Sequence, residues 1–336
     1  MSNLIKVAVI GAGMMGKNHL KTYKSLPGVE LVGVYDIFED AAKAAAEMFG
    51  IKAFASLEEV AQNVDAVSVV TTSVTHADVG EFFLKKGIHC LIEKPLATTE
   101  IECQRLIKAA KENNVTLLVG HIERFNPAVE QLSKILADTS KIRSLTAQRM
   151  SAASGRITDV DVAMDLMIHD VEVVQSLVKS KVVNVEAMSV KTKDKPEGKD
   201  YISALIQFEN GVTANLTASR ITQSRVRTLS VTTDENYIDM DFINQSINVC
   251  TQSRSPYMNA ELPDWMKYGL KGCEEHLFIP SSQPLASEQT HFVNCILGKE
   301  TPRITGENAL EALKVIWEVQ RKLGFLSSSE ALKKAA

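Results

Sequence analysis

Short apolar runs alternate with amphipathic stretches through the first third of the chain. Runs rich in Val, Ile and Leu occupy 4–10, 30–35, 65–70, 88–92 and 115–120, and segments with helical spacing of apolar positions fall at 14–26, 38–49, 75–86 and 99–112. This alternation predicts a parallel sheet with helices on both faces and right-handed crossovers. After about residue 122 the rhythm lengthens. Residues 142–152, 182–192, 200–209, 212–220, 226–233 and 236–241 alternate polar with apolar positions, as strands do when one face of the sheet is solvated or covered by a partner. Glu209-Asn210-Gly211 between two of them contains the Asn-Gly dipeptide of a tight hairpin. Helices are expected at 160–178, 286–297 and 306–323. Lys193–Lys199 reads as a solvated connection, and 252–285, with Pro256, Pro263, Pro280 and Pro284, as an irregular excursion serving as a lid or an interface arm. No internal repeat is visible. The expected chain is therefore α/β with two domains. Residues 1–121 form a doubly wound parallel sheet, and 122–336 an α+β domain with a large, mostly antiparallel open sheet.

Composition narrows the class without changing this picture. The chain has 336 residues, 45% hydrophobic and 23% charged, which is ordinary for globular protein and long enough for two domains. A net charge of −4 without any basic tract argues against a nucleic-acid partner. Cys90, Cys103, Cys250, Cys273 and Cys295 are dispersed, with no CxxC or metal-ligand spacing, and fit a reducing cytoplasm better than a disulfide framework. Leu4–Ile10 runs straight into a glycine turn and a helix, so it reads as a buried strand rather than a leader. No run approaches the ~18 apolar residues of a membrane span, so none is expected. The histidines are not spaced as metal ligands, and no metal is expected.

Gly11-Ala12-Gly13-Met14-Met15-Gly16 lies between the first strand and the first helix. In that context Gly11 permits a tight turn, Gly13 lets the backbone approach a pyrophosphate, and Gly16 lets the helix pack close to the strand. Met14 and Met15 open a helix whose unpaired N–H groups suit phosphates. Asp36 follows Gly16 by 20 residues and ends the run Glu30–Tyr35. A carboxylate there accepts from the adenosine ribose hydroxyls and repels a 2′-phosphate, so NAD is expected in preference to NADP. Ligands of such sheets lie outside the carboxyl ends of the strands, which brings Thr72 and Ser73 to the dinucleotide. His76 opens the next helix and either joins them or caps it.

Glu93-Lys94-Pro95 also closes a strand, after His89–Ile92. A lysine beside a nicotinamide polarises a hydroxyl or a developing alkoxide, and Pro95 limits the backbone there. Alone, the tripeptide suits a surface turn; its place in the sheet assigns Glu93 and Lys94 to the cofactor site. Further on, 160–178 is apolar nearly all round, which predicts a buried helix. Yet Asp161, Asp165, His169 and Glu172 follow at intervals of four, four and three, along one stripe. Buried polar groups are costly unless paired or needed. Asp165 lies four residues before His169 and is placed to orient its imidazole and raise its pKa toward the range of a base. The plain alternative is a core histidine satisfied by a helix aspartate.

Together GAGMMG, Glu93-Lys94-Pro95 and Asp165-xxx-His169-Asp170 resemble the Gfo/Idh/MocA dehydrogenases, the glucose-fructose oxidoreductase and inositol dehydrogenase family. The resemblance spans nearly the whole chain, including Gly120–Pro127 and Pro302–Glu307. It implies a Rossmann domain that binds NAD, and an open C-terminal sheet carrying homo-oligomer contacts, as a dimer or tetramer. It also implies a site in which Lys94, Asp165 and His169 handle a sugar or polyol hydroxyl. In this scheme the substrate enters between the domains, and Lys94 and His169 share the roles of base and oxyanion stabiliser in either order. Many members are glycine-rich just before the aspartate, where this chain has Val160–Met164, so a different local backbone is expected. Within the family, Arg156–Val160 and Met164–Asp170 most resemble the enzymes that oxidise C3 of UDP-N-acetylglucosamine for 3-amino nucleotide sugars of lipid A-type acylation. A nucleotide sugar needs cations for its diphosphate, with Arg124, Arg149, Arg156 and Arg220 as candidates. The rival readings are an inositol or other polyol dehydrogenase, and a sensor that binds NAD without transferring hydride.

Overall fold

The computed structural model describes residues 4–152, 161–191, 196–254 and 270–326. By contacts the chain divides into two units. One comprises the chain up to Phe125 with Ser282–Trp317 and Leu326; the other comprises Asn126–Ser281 with Glu318–Phe325.

In the first unit the strands are β1 (Ile5–Ile10), β2 (Val29–Tyr35), β3 (Lys52–Ala53), β4 (Ala66–Val69), β5 (His89–Glu93) and β6 (Leu117–Gly120). They form a sheet of order β3-β2-β1-β4-β5-β6, parallel throughout among the described residues. Successive strand residues point to opposite faces. Every residue of Val7–Ile10, of β4 and of β6 is buried, so the central strands are covered on both sides. This is why they read as unbroken apolar runs. The helices are α1 (Met14–Ser25), α2 (Glu39–Phe49), α3 (Leu57–Ala61), α4 (His76–Leu84) and α5 (Glu100–Glu112). Thr99 and Glu102 form a reciprocal capping box at the start of α5. The strand order reverses between β1 and β4, and their carboxyl ends open the crevice where dinucleotides bind in this topology. Sequence patterning located each of these elements except β3 and α3, which are too short to show a period.

In the second unit α6 (Pro127–Ile135) is followed by β7 (Ile142–Met150), a helical segment ending in α7 (Ile168–Val178), and seven further strands. These are β8 (Val182–Ser189), β9 (Tyr201–Phe208), β10 (Thr213–Ser219), β11 (Val226–Thr233), β12 (Asn236–Asp241), β13 (Ser246–Arg254) and β14 (Leu270–Leu277). The described strands pair in the order β14-β13-β12-β11-β7-β10-β9-β8, antiparallel except for β7 beside β10. Burial alternates along β7, β9 and β10, so one face is core and the other uncovered. The Asn210-Gly211 turn closes β9 onto β10 with Gly211 at φ +86°. The expected excursion at 252–285 is corrected in part, because Leu270–Leu277 is a strand paired with β13. Residues 252–254 also belong to a strand and 284–285 to a helix, 278–283 is irregular as expected, and 255–269 lies outside the described residues, as does 192–195 of the expected solvated connection.

The helices expected at 286–297 and 306–323 are α8 (Pro284–Ile296) and α9 (Gly306–Lys322). The expected division at 121/122 differs here, since α8 and most of α9 group with the parallel-sheet unit. Gln289 of α8 donates to the His19 carbonyl, while Lys111 pairs with Glu307 and Glu100 with Lys314. These elements share that unit's core and ion pairs despite their distance along the chain.

Under the second sheet, Arg149 is 2% exposed and is held by both carboxylate oxygens of Asp170 at 2.8–3.0 Å. Phe242 stacks against its guanidinium at 4.9 Å. Arg149 is thus committed to the fold rather than presented to a diphosphate. Asp170→Asn should lower unfolding stability by about 3–5 kcal/mol, because it leaves a buried guanidinium uncompensated. Urea denaturation measures this, and a loss below about 1 kcal/mol would show the pair to be dispensable.

Candidate active site

At the end of β1 the chain turns through Gly11, at φ +108°, with its N–H donating to the Tyr35 carbonyl at 2.7 Å. A Cβ on Gly11 would lie 2.5 Å from the Val70 carbonyl, and one on Gly16 would collide with the Gly11 carbonyl. Both glycines are therefore required by backbone crowding. Gly13 differs: nothing lies within 4 Å of the place a Cβ would take, so the fold itself does not demand glycine there, and the space leaves room for the close approach expected of a pyrophosphate. Gly13 caps α1 without a side chain, and the first turn, with Met14 and Met15, holds no acidic residue. This helix end suits an anion through its N–H groups and dipole. Asp36 accepts from the Ala12 N–H at 2.7 Å and the Phe38 N–H at 2.9 Å, which fixes its carboxylate beside the glycine turn. Ile37 and Phe38 next to it are 79% and 69% exposed, an apolar flank suited to a base ring that the sequence reading passed over.

The segment after β4 flanks the same crevice. Thr72 is exposed and Ser73 half-buried, both in the turn that leads into α4. His76 is buried, with Nδ1 2.8 Å from the Pro95 carbonyl and Nε2 3.2 Å from the Thr71 carbonyl. It ties the segments after β4 and β5 together, a structural task that its position in sequence did not reveal.

Lys94 follows β5, is half-buried, and forms a cis peptide bond with Pro95. Behind it Glu93 uses both oxygens: Oε2 accepts the Lys94 N–H at 3.2 Å, and Oε1 lies 3.0 Å from Nε2 of buried His19 on α1. Burial pushes the Glu93 carboxyl up, but the His19 hydrogen bond and the charges of His19 and Lys94 outweigh it and hold it below the usual carboxylate range. Glu288 of α8 is fully buried, and neither of its oxygens has a hydrogen-bond partner among the described residues. Burial first, and then the charge of Glu93, raise it well above the ordinary range. One ligand atom from each of His19, Glu93 and Glu288 falls within a cluster 4.8 Å across. His121, after β6, is 1% exposed. Burial chiefly, with the charges of Lys94 and Arg124 adding and Glu93 opposing, drives its pKa down to about 3. Arg124 is half-buried in the turn Ile122–Phe125 of the same unit.

In the second unit the stripe predicted along 160–178 resolves into separate partnerships. Asp161 caps the helical segment, accepting from the Ala163 and Met164 N–H groups at 2.9 and 3.0 Å and from Gln320 at 2.6 Å. Ala163–Met167 is a π-helical turn that runs into α7, at the place where glycine-poor sequence led to the expectation of a different backbone. Asp165 lies in that turn, 9% exposed, with Arg220 at 3.8 Å; Arg220 is in turn 3.1 Å from Asp200. Arg220 is accordingly engaged by carboxylates, and its expected role at a diphosphate loses support. His169 is half-buried on α7, while Asp170 and Glu172 are buried. Arg156 lies outside the described residues.

Comparison with known proteins agrees with the fold and the nucleotide site. Residues 5–121 match the oxidoreductase-family NAD-binding Rossmann fold model, and 143–238 match the GFO/IDH/MocA C-terminal domain model. The chain is 36% identical over 247 residues to UDP-N-acetylglucosamine 3-dehydrogenase of Acidithiobacillus ferrooxidans, an alignment covering 73% of this chain and 76% of that protein. It is 28% identical to inositol 2-dehydrogenase of Rhizobium meliloti, over 64% and 69% of the two chains. The solved structure of the Acidithiobacillus enzyme superposes with a TM-score of 0.84 at 30% identity, covering 95% of this chain and 97% of that one. The chain belongs to the Gfo/Idh/MocA family. It is an oxidoreductase whose Rossmann unit takes NAD. No described helix is long and apolar enough to cross a membrane.

Two measurements test the site. Replacing Asp36 by Ser removes a charge-assisted hydrogen bond of about 1.5–3 kcal/mol, so KM for NAD should rise about 10- to 100-fold while discrimination against NADP falls. Unaltered discrimination in steady-state kinetics would reject Asp36 as the selector. His121 should make stability pH-dependent. Its folded pKa, about 3, lies below the unfolded value. The unfolded chain therefore takes up the proton first. The stabilisation is complete above about pH 6.5 and is lost as pH falls toward 3, by roughly 2 kcal/mol between pH 7 and pH 5. His121→Gln should flatten that slope in denaturation series.

Proposed function

We propose that the protein oxidises a sugar hydroxyl to a ketone with NAD, at C3 of UDP-N-acetylglucosamine, in the making of a 3-amino nucleotide sugar. The observation that carries the reaction type is Lys94, half-buried at the carboxyl end of β5, on the sheet edge that bears the Gly11–Gly16 turn and Asp36. The substrate is supported by the 36% identity to the Acidithiobacillus enzyme. NAD, when bound, accepts hydride from the reacting carbon. Lys94 donates to the reacting oxygen and stabilises its developing charge, and His169 takes the hydroxyl proton. Asp165, with Arg220 beside it, orients His169 or holds a neighbouring hydroxyl. Arg124 and Arg156 remain as cations for the diphosphate. Self-association is assigned to the uncovered face of the large sheet, where Leu205 and Tyr237 are half exposed.

A second reading has an observation of its own. Arg149 and Arg220, two of the four candidate diphosphate cations, are engaged by carboxylates within the fold. That favours a smaller, uncharged polyol such as inositol.

Near-stoichiometric enzyme, excess NAD and UDP-N-acetylglucosamine should give a burst of reduced-nicotinamide absorbance that inositol and free N-acetylglucosamine do not. A burst with inositol alone would establish the second reading. Lys94→Ala should still bind NAD while the burst rate falls about 10²–10³-fold. A loss smaller than tenfold would remove Lys94 from the chemistry.

A further inference from the structure

Two carboxylates sit close together behind Lys94, Glu288 fully buried and Glu93 12% exposed, and only Glu93 has visible compensation. Glu93 has the His19 imidazole at 3.0 Å and the Lys94 N–H at 3.2 Å. Glu288 approaches the same two side chains from α8, is 0% exposed, and meets no hydrogen-bond partner among the described residues. Two carboxylates this close in a buried site cannot both ionise without a large penalty. The one beside the imidazole and the lysine keeps the charge. The other must be neutral or neutralised by something the chain does not supply.

A divalent cation would be one such agent, since two carboxylates and an imidazole are a plausible ligand set. The geometry argues otherwise. His19 Nε2 and Glu93 Oε1 already share a hydrogen bond at 3.0 Å, so the two atoms that would ligate an ion are spent on each other and only Glu288 is left to hold it. A proton is the smaller solution. A protonated carboxyl also becomes a donor, which an ionised one is not. A modest turn of its side chain, or one buried water, lets it donate to Glu93.

We infer that Glu288 is a positioning residue, a buried neutral carboxylic acid that with His19 fixes the Glu93 carboxylate and, through it, the placement of Lys94. This rests on the reading of Lys94 as the group that handles the reacting oxygen. The proton on Glu288 keeps the charge behind Lys94 at a single negative unit. Its loss at alkaline pH sets a second carboxylate against Glu93 and disturbs the lysine. The ionisable groups that face Glu288 are His19 and Tyr23 of α1 and Glu93 of β5, and the turn packed against α8 adds Glu123 and Arg124.

The test compares Glu288→Ala with Glu288→Gln, the latter an isostere of the neutral acid. Infrared spectra of NAD-loaded wild type at neutral pH should show the carbonyl stretch of a buried carboxylic acid, absent from Glu288→Gln. Glu288→Ala should lower kcat about tenfold with NAD still bound, the worth of one hydrogen bond to a charged group. Glu288→Gln should restore kcat near neutrality and move the alkaline limb of the wild-type profile to higher pH. A purely packing role would not move that limb. The inference is overturned if the acid band is missing, if Glu288→Gln is as slow as Glu288→Ala across pH, or if purified protein carries one metal ion per chain. The infrared arm needs no substrate, so it decides the matter even if the proposed reaction fails.

Discussion

The crowding of backbone at the end of β1 sets the terms for the nucleotide half of the protein. The Gly11 turn sits against the Val70 carbonyl, and Gly16 sits against the Gly11 carbonyl. Neither place tolerates a Cβ. Once these contacts are made, α1 starts where its first N–H groups face the crevice between β1 and β4. Asp36 is then held beside the turn by two backbone donors. The turn and the carboxylate proposed to receive pyrophosphate and ribose are therefore set by packing before any ligand arrives, which would reduce the ordering cost of binding.

The second unit solves a different problem, the burial of charge beneath an open sheet. Three aspartates in one helical segment would be ruinous in an apolar core if left alone. Each has instead a dedicated use. Asp161 satisfies helix-end N–H groups, Asp165 faces Arg220, and Asp170 neutralises Arg149. Of these, Asp165 is the one whose backbone lies in a π turn. Such turns recur at functional sites because they displace a side chain from regular helical order. The irregular backbone falls on Asp165, where a role beyond stability is easiest to accommodate.

How much of this could be read from the chain depended on how local each signal is. The parallel sheet announced itself because strands buried on both faces are continuous apolar words, and strands β7–β12 because one face is wet. β13 and β14 escaped because Ser246–Arg254 and Leu270–Leu277 carry mixed polar residues, with β14 at the sheet's edge and β13 next to it. α6 was missed although Asn126 and Pro127 are a sound helix start, with the Asn126 side chain accepting the Ala128 N–H. The site divided in the same way. Glycine turn, aspartate and lysine were legible because motif and strand end adjoin in sequence. Glu288 was not, because an acid on a helix near the end of the chain gives no sign that it will be buried against residues 19 and 93.

That hidden contact joins the two most informative motifs. The glycine turn opens α1, and three residues beyond Gly16 the same helix places His19 on Glu93 of Glu93-Lys94-Pro95. The glycine turn and Lys94 are therefore not two independent features that happen to share a sheet. They are the ends of one buried hydrogen-bonded chain running from α1 through Glu93 to the backbone of Lys94. A change that shifts the start of α1 is expected to reach His19 and, through Glu93, the backbone of Lys94. The coupling is short, buried and charged, so it is strong in the low-dielectric interior. This gives a physical reason for α8 to pack with the parallel sheet rather than with the residues that precede it in sequence. Glu288 completes the cluster from a helix that must be held to α1, as Gln289 holds it.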